Sequence, residues 1–237
     1  MTSTTPVATG LHVRTAALDF LTSDRLAATL TDLRRSGAAG ADITDAIPRT
    51  VADAVQKDMR QDPGWQQEYW LFDEKAQVHP VDPAVFFSSP HTARFSRNAC
   101  LRRPSKASMS LRGLLSAVVS AQALDALSAV YGRTLRFASA DIAAYRRGDY
   151  LRRHADTFDD RCFGLVWFLS NPDTTGSGGE LVVEAPTGEG LVIAPRAGSV
   201  GVIPINPSYT HLVSRIQQDW IRYSIATHYA LDTRNPA

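Results

Sequence analysis

Apolar positions change their spacing near residue 134. Before that point they recur at helical intervals. Leu26, Leu30 and Leu33 stand at i, i+4 and i+7, which predicts one helix face over Arg25–Arg35. Thr22 or Ser23 offers an N-cap and Gly37 a stop. A second helix is predicted over Val51–Met59. One long helix is predicted from Leu111 to Val130, with Leu111, Leu114, Leu115, Val118, Val119 and Leu124 suited to packing on a sheet. Met1–Gly10 reads as a weak, Thr-rich arm without the charged and apolar segments of a signal peptide. Residues 61–105 carry Trp65, Tyr69, Trp70, Phe72, Phe86 and Phe87, but Pro63, Pro80, Pro83 and Pro90 interrupt them. Short strands and loops are expected there.

From Leu135 onward the apolar runs are short and rich in Val, Ile, Phe and Tyr. Strands are predicted over 135–145, 162–169, 180–185, 190–194, 199–203 and 221–230, separated by Gly, Pro, Asn and Asp. Asn171–Gly179 is a turn-rich loop between two of them. Closely spaced short strands point to an antiparallel sandwich or barrel. The expected organisation is one domain over 1–237. Residues 1–134 form a helical or irregular support layer with a candidate lid in its aromatic segment, and 135–230 form the β core.

Composition narrows the function classes. The 237 residues suit one domain. Lys and Arg number 25 against 24 Asp and Glu, a net charge of +1. That balance excludes a polybasic nucleic-acid binder and an acidic disordered chain. No apolar run reaches the roughly 18 residues of a membrane-spanning helix. Cys100 and Cys162 are too few for a disulfide framework or a four-thiolate zinc site, so a reducing, cytoplasmic setting is expected.

Six histidines are present: His12, His79, His91, His154, His211 and His228. His154 stands apart because Asp156 follows two positions later. On an extended segment i and i+2 point the same way, so an imidazole and a carboxylate can reach one metal. Such an N,O donor set suits Fe(II) better than a thiolate-loving metal. The pair lies in Tyr145-Arg146-Arg147-Gly148-Asp149-Tyr150-Leu151-Arg152-Arg153-His154-Ala155-Asp156. Downstream come Gly178-Gly179-Glu180-Leu181, then His211, then Arg222-Tyr223-Ser224-Ile225.

This order resembles the iron(II)- and 2-oxoglutarate-dependent oxygenases, in the branch that looks like the prolyl 4-hydroxylases, over roughly residues 135–230. The resemblance implies a double-stranded β-helix, or jelly-roll, with helices packed on one side. It implies that His154, Asp156 and His211 ligate Fe(II) and leave coordination positions open for 2-oxoglutarate and O2. It further implies that Arg222 pairs with the distal carboxylate of 2-oxoglutarate, with Ser224 or Tyr145 adding a hydrogen bond. A planar guanidinium suits that role because it can grip a carboxylate with two donors. Arg215 is the rival for it, although Arg222, Ser224 and Ala226 share one face of a strand. His228 falls where the family often carries Trp, and is expected in the core or beside the ligands. Only one of Trp167 and Phe168 can face a pocket. Arg161 is expected either near substrate and ligands or in a surface ion pair.

The implied activity is hydroxylation of an unactivated C–H bond with conversion of 2-oxoglutarate to succinate and CO2. The expected substrate is a small metabolite, an amino acid or a carrier-bound group. A peptidyl (prolyl) hydroxylase and a non-catalytic jelly-roll binding a metal or ligand are the alternatives. Asp156 argues against a halogenase of this chemistry, which usually replaces the ligand carboxylate with Gly or Ala. Gly176-Ser177-Gly178-Gly179 is no phosphate loop, since no Lys-Ser/Thr follows and a strand comes next. Arg102-Arg103 and Arg152-Arg153 are expected on solvated faces.

Overall fold

The predicted helix at Leu26, Leu30 and Leu33 is α2 (Asp24–Ser36), with all three leucines buried. The Ser23 side chain accepts from the Leu26 N–H, and Gly37 ends the helix at φ 68°. α3 (Arg49–Gln61) extends the second predicted helix at both ends. The computed structural model describes residues 9–75, 77–172 and 176–233; most of the Met1–Gly10 arm and the middle of the 171–179 loop lie outside the described residues. Two readings are corrected. The chain is already helical from Gly10, because Thr9 caps α1 (Gly10–Leu21) and Val13, Ala17 and Leu21 are buried at helical spacing. The single long helix is two, α5 (Met109–Val118) and α6 (Ala121–Tyr131). Ser120 divides them: its hydroxyl accepts from the Ala123 N–H and starts a new first turn. A short α4 (Pro83–Ser88) lies in the aromatic segment.

The strands are β1 (Ala41–Ile43), β2 (Trp65–Phe72), β3 (Val78–Pro80), β4 (Arg94–Leu101), β5 (Leu135–Tyr145) and β6 (Tyr150–His154). They continue as β7 (Arg161–Phe168), β8 (Leu181–Glu184), β9 (Gly190–Ile193), β10 (Val200–Pro204), β11 (Thr210–Val213) and β12 (Arg222–Leu231). Their order is β1-β10-β7-β12-β5-β4-β6-β11-β8-β9, with β2 between β3 and β4. The predicted jelly-roll is therefore present. β10-β7-β12-β5 make one layer and β6-β11-β8-β9 the other. The sheet does not stop at residue 134, because β4 pairs with β5 through Ala99 and Cys100 and with β6 through Ser96 and Arg97. Asp149 fixes the turn from β5 to β6. Its buried carboxylate takes the Arg146 N–H at 2.9 Å and the Arg97 guanidinium of β4.

β12 is flanked by β5 and β7 and is buried almost throughout. Strand alternation splits its residues between two environments. Tyr223, Ile225 and Tyr229 join the core shared with the helices. Thr227, also buried, accepts from the Trp167 indole N–H at 3.2 Å. Arg222, Ser224, Ala226 and His228 face a cavity between the two layers. β7 follows the same rule. Trp167 meets Phe20 of α1 edge-to-face at 5.4 Å, whereas Phe168 belongs to the core between the layers.

Two consecutive glycines carry the chain into β8. Gly178 has φ +80°, and a Cβ there would lie 2.0 Å from the Arg215 carbonyl oxygen. Gly179 has φ +84°, and a Cβ there would press on Ile216, Trp220 and the Arg222 stem. The Gly-Gly pair is thus required by both backbone conformation and space.

Two outcomes are expected. Phe20→Ala should lower the unfolding free energy by about 3–5 kcal/mol, the usual range for emptying a buried aromatic site, as read by denaturant titration. Gly178→Ala should lower it by at least the roughly 1–3 kcal/mol of a strained residue, since backbone must also move. Unchanged midpoints would show that neither contact matters.

Candidate metal and cosubstrate site

His154 ends β6 and His211 lies on β11, and the two are directly paired across the strands. Their rings stand 4.2 Å apart. The His154 Nδ1 lies 2.8 Å from the Arg152 carbonyl oxygen, so that nitrogen carries the proton and Nε2 is left as the donor atom. Asp156, just past β6, places Oδ1 3.5 Å from His154 Nε2 and Oδ2 3.4 Å from His211 Nε2. One ligand atom from each residue lies within 4.8 Å of the others. Donors at adjacent positions around a first-row ion, with bonds of about 2.1 Å, stand about 3 Å apart. These three side chains therefore fit one ion with little movement. Two imidazoles and one carboxylate are the donor set of a non-haem Fe(II) centre with open positions.

Burial would raise the Asp156 pKa, but hydrogen bonds from His154, His211 and His228 outweigh it and hold the carboxyl far below the usual range. Burial opposes the charged ring at His154, yet Asp156 raises its pKa overall. At His211 burial prevails and the pKa is lowered.

Arg222 opens β12 opposite Tyr145, the last residue of β5. Its side chain is buried, and its guanidinium stands 5.0 Å from the Tyr145 ring and 5.1 Å from the Phe168 ring. Nη1 donates to Ser224 Oγ at 2.9 Å, while Nε is buried with no partner. Among the described residues no carboxylate lies within ion-pair distance of it, and Glu180, the acidic group that acts on it from further away, is hydrogen-bonded to Ser214. Burial pushes the Arg222 pKa down to about 10, still charged at neutral pH. Burial also pushes the Tyr145 phenol well above its usual range, so it remains a protonated donor. A buried, unpaired guanidinium is costly, and an anion entering the cavity would relieve that cost.

The cavity of about 1030 Å³ holds His154, Asp156, His211, Arg222, Ser224 and Tyr145 together. Arg215 is not brought there: it is exposed and stacks at 4.6 Å on Tyr150. Arg161 makes no ion pair among the described residues; it lies 3.8 Å over Phe158 and donates to Ser139 Oγ at 3.1 Å. Of the two arginine pairs expected on solvated faces, Arg102 and Arg153 line the cavity, where Arg102 binds Glu68 and Arg153 binds Glu184, whereas Arg152 donates to the Thr92 carbonyl. Trp70, Phe72 and Phe95 line the cavity from β2 and β4, so the aromatic segment supplies a hydrogen-bonded wall. His228 lies within 3.1 Å of Asp156 and Ser139 within 3.1 Å of His228. Sequence reading had no signal for Ser139, whose place depends on the β5–β12 register.

The family model of the 2OG-Fe(II) oxygenase superfamily matches residues 140–230. No curated protein matches the chain. Solved structures do. A Pseudomonas putida prolyl-4-hydroxylase is 17% identical, with a TM-score of 0.60 over 87% of this chain and 98% of its own. A Trichoplax adhaerens prolyl hydroxylase in complex with a hypoxia inducible factor peptide fragment is 17% identical, with a TM-score of 0.64 over 89% and 90%. The alpha ketoglutarate dependent epimerase SnoN from nogalamycin biosynthesis is 12% identical, with a TM-score of 0.55 over 92% and 84%. At these identities the likeness speaks for the fold. Family match and fold point the same way: residues 140–230 match the model of the 2OG-Fe(II) oxygenase superfamily, and the chain shares the jelly-roll fold of these structures.

Proposed function

We propose that the chain hydroxylates an unactivated C–H bond of a small metabolite, amino acid or carrier-bound substrate, with release of succinate and CO2. The observation that carries the reading is Arg222, a buried cation with no carboxylate partner among the described residues and an unbonded Nε, in the same cavity as the three converging donors. His154, Asp156 and His211 would hold the ferrous ion, which would supply the oxidising chemistry with 2-oxoglutarate and O2. Arg222 binds the distal carboxylate of 2-oxoglutarate. Ser224 Oγ accepts from Nη1 and fixes the plane of the fork. Tyr145, kept protonated by burial, is available to donate to the same carboxylate. The apolar wall of Trp70, Phe72 and Phe95 excludes water from the side where substrate would lie.

A cavity of about 1030 Å³ with aromatic side chains along one wall has room for a small substrate beside the cosubstrate. The second reading is a peptidyl hydroxylase. It is favoured by the exposed Phe158 at the cavity rim and by the fold shared with a prolyl hydroxylase that binds a peptide. A reducing, cytoplasmic setting goes with either reading, since Cys100 and Cys162 are both free thiols.

Anaerobic titration with Fe(II) and 2-oxoglutarate should produce a weak visible charge-transfer band. His154→Ala should abolish it, and Arg222→Ala should weaken cosubstrate binding more than iron binding. A loss seen with Arg215→Ala in place of Arg222→Ala would overturn the carboxylate assignment. Arg222→Met should leave the ligand-free protein at least as stable as the parent, by up to about 4 kcal/mol more, because a buried unpaired charge is removed. It should also lose the roughly 2.7 kcal/mol of stabilisation that the parent gains at a hundredfold excess over Kd, measured by thermal shift. Succinate formation screened across amino acids, peptides and carrier-bound acyl groups separates the two substrate readings.

A further inference from the structure

His228 is buried on β12, in the cavity, and its Nε2 lies 3.1 Å from Asp156 Oδ2. Its other nitrogen, Nδ1, lies 3.1 Å from Ser139 Oγ. Ser139 Oγ in turn receives Arg161 Nη2 at 3.1 Å. The direction of these hydrogen bonds follows from the carboxylate end. An ionised Asp156 only accepts, so the ring proton lies on Nε2 and Nδ1 is left as an acceptor. Ser139 can then donate to Nδ1 while accepting from Arg161, because its hydroxyl has both a hydrogen and lone pairs. Asp141 Oδ2 is a weaker rival for Nδ1, at 3.5 Å on a side chain that is 57% exposed.

Space is reserved for this ring. Gly164 of β7 pairs with His228, and a Cβ there would lie 3.2 Å from His228 Cδ2 and 3.1 Å from Ile203. The contact to Asp156 is also shorter than those from His154 and His211.

We infer that His228 is a positioning residue for the metal centre: by donating from Nε2 to Asp156 Oδ2 it fixes the carboxylate rotamer and leaves Oδ1 free for the ion. Ser139 and Arg161 act behind it by setting the tautomer. This rests on the assignment of Asp156 as an iron ligand. It adds a fourth residue, distant in sequence from Asp156, that does not bind the metal itself.

The test is anaerobic Fe(II) titration of the full chain with 2-oxoglutarate held in excess, read as charge-transfer absorbance against free Fe(II), with near-ultraviolet circular dichroism of each ligand-free variant as the folding check. His228→Leu should weaken Fe(II) binding by about 10–100-fold, the usual effect of removing a hydrogen-bond partner behind a ligand. His228→Gln, whose amide N–H can reach the same oxygen, should restore most of the affinity. Ser139→Ala should weaken binding in the same direction by a smaller factor. A folded His228→Leu protein with parental affinity overturns the inference, as does a Gln variant no better than Leu, which would make the ring a packing element. If His228→Leu does not fold, the inference stands or falls on the Gln and Ser139 variants. Asp156→Ala in the same titration separates the two levels: undiminished iron binding there overturns the ligand assignment itself, whereas its loss alongside a neutral His228→Leu overturns the positioning role alone.

Discussion

A strand closed on both faces cannot hide a polar side chain in solvent, and β12 is such a strand. Arginine, serine and histidine on its inward side are tolerable only because that side opens onto a cavity, where other polar groups or a bound anion can meet them. Part of the polar cavity lining is arranged around that inward row. Tyr145 and Ser139 lie opposite it on β5, and Asp156 is drawn toward it through His228. The helical layer loads the outward row and so holds β12 at the centre of its sheet.

The histidine pair across β6 and β11 depends on a different constraint. His154 and His211 are cross-strand partners, so the ladder itself sets their separation and loop flexibility has little influence on it. The Gly178-Gly179 turn and the Asp149 anchor lie at the connections that bring these short strands into place. Gly179 also lies against the Arg222 stem, which ties the turn to the Arg222 end of the cavity.

Much of the fold was legible in the sequence where burial dominated. β5 and β12 are long and mostly apolar, and their predicted limits agree with the structure to within one residue. α2 announced itself through Ser23, three leucines and Gly37. The strands carrying the two histidines did not. β6 reads Tyr-Leu-Arg-Arg-His and β11 is four residues long, so neither has a hydrophobic period to detect. They were reachable only through the spacing of chemically distinctive residues. β2 and β4 were obscured because one side of each lines the cavity wall, where Glu68 and Asn98 interrupt the aromatics. Ser139 and Gly164 carry no signal of their own, since each matters through a neighbour that only the strand register supplies.

The alternation along β12 makes the molecule separable by parity. Odd-numbered positions from 223 to 229 answer to the helices, and even-numbered positions from 222 to 228 answer to the cavity. Selection or engineering can therefore retune robustness and reactivity on one ten-residue segment without the two interfering, provided each exchange respects which side of the pleat it occupies.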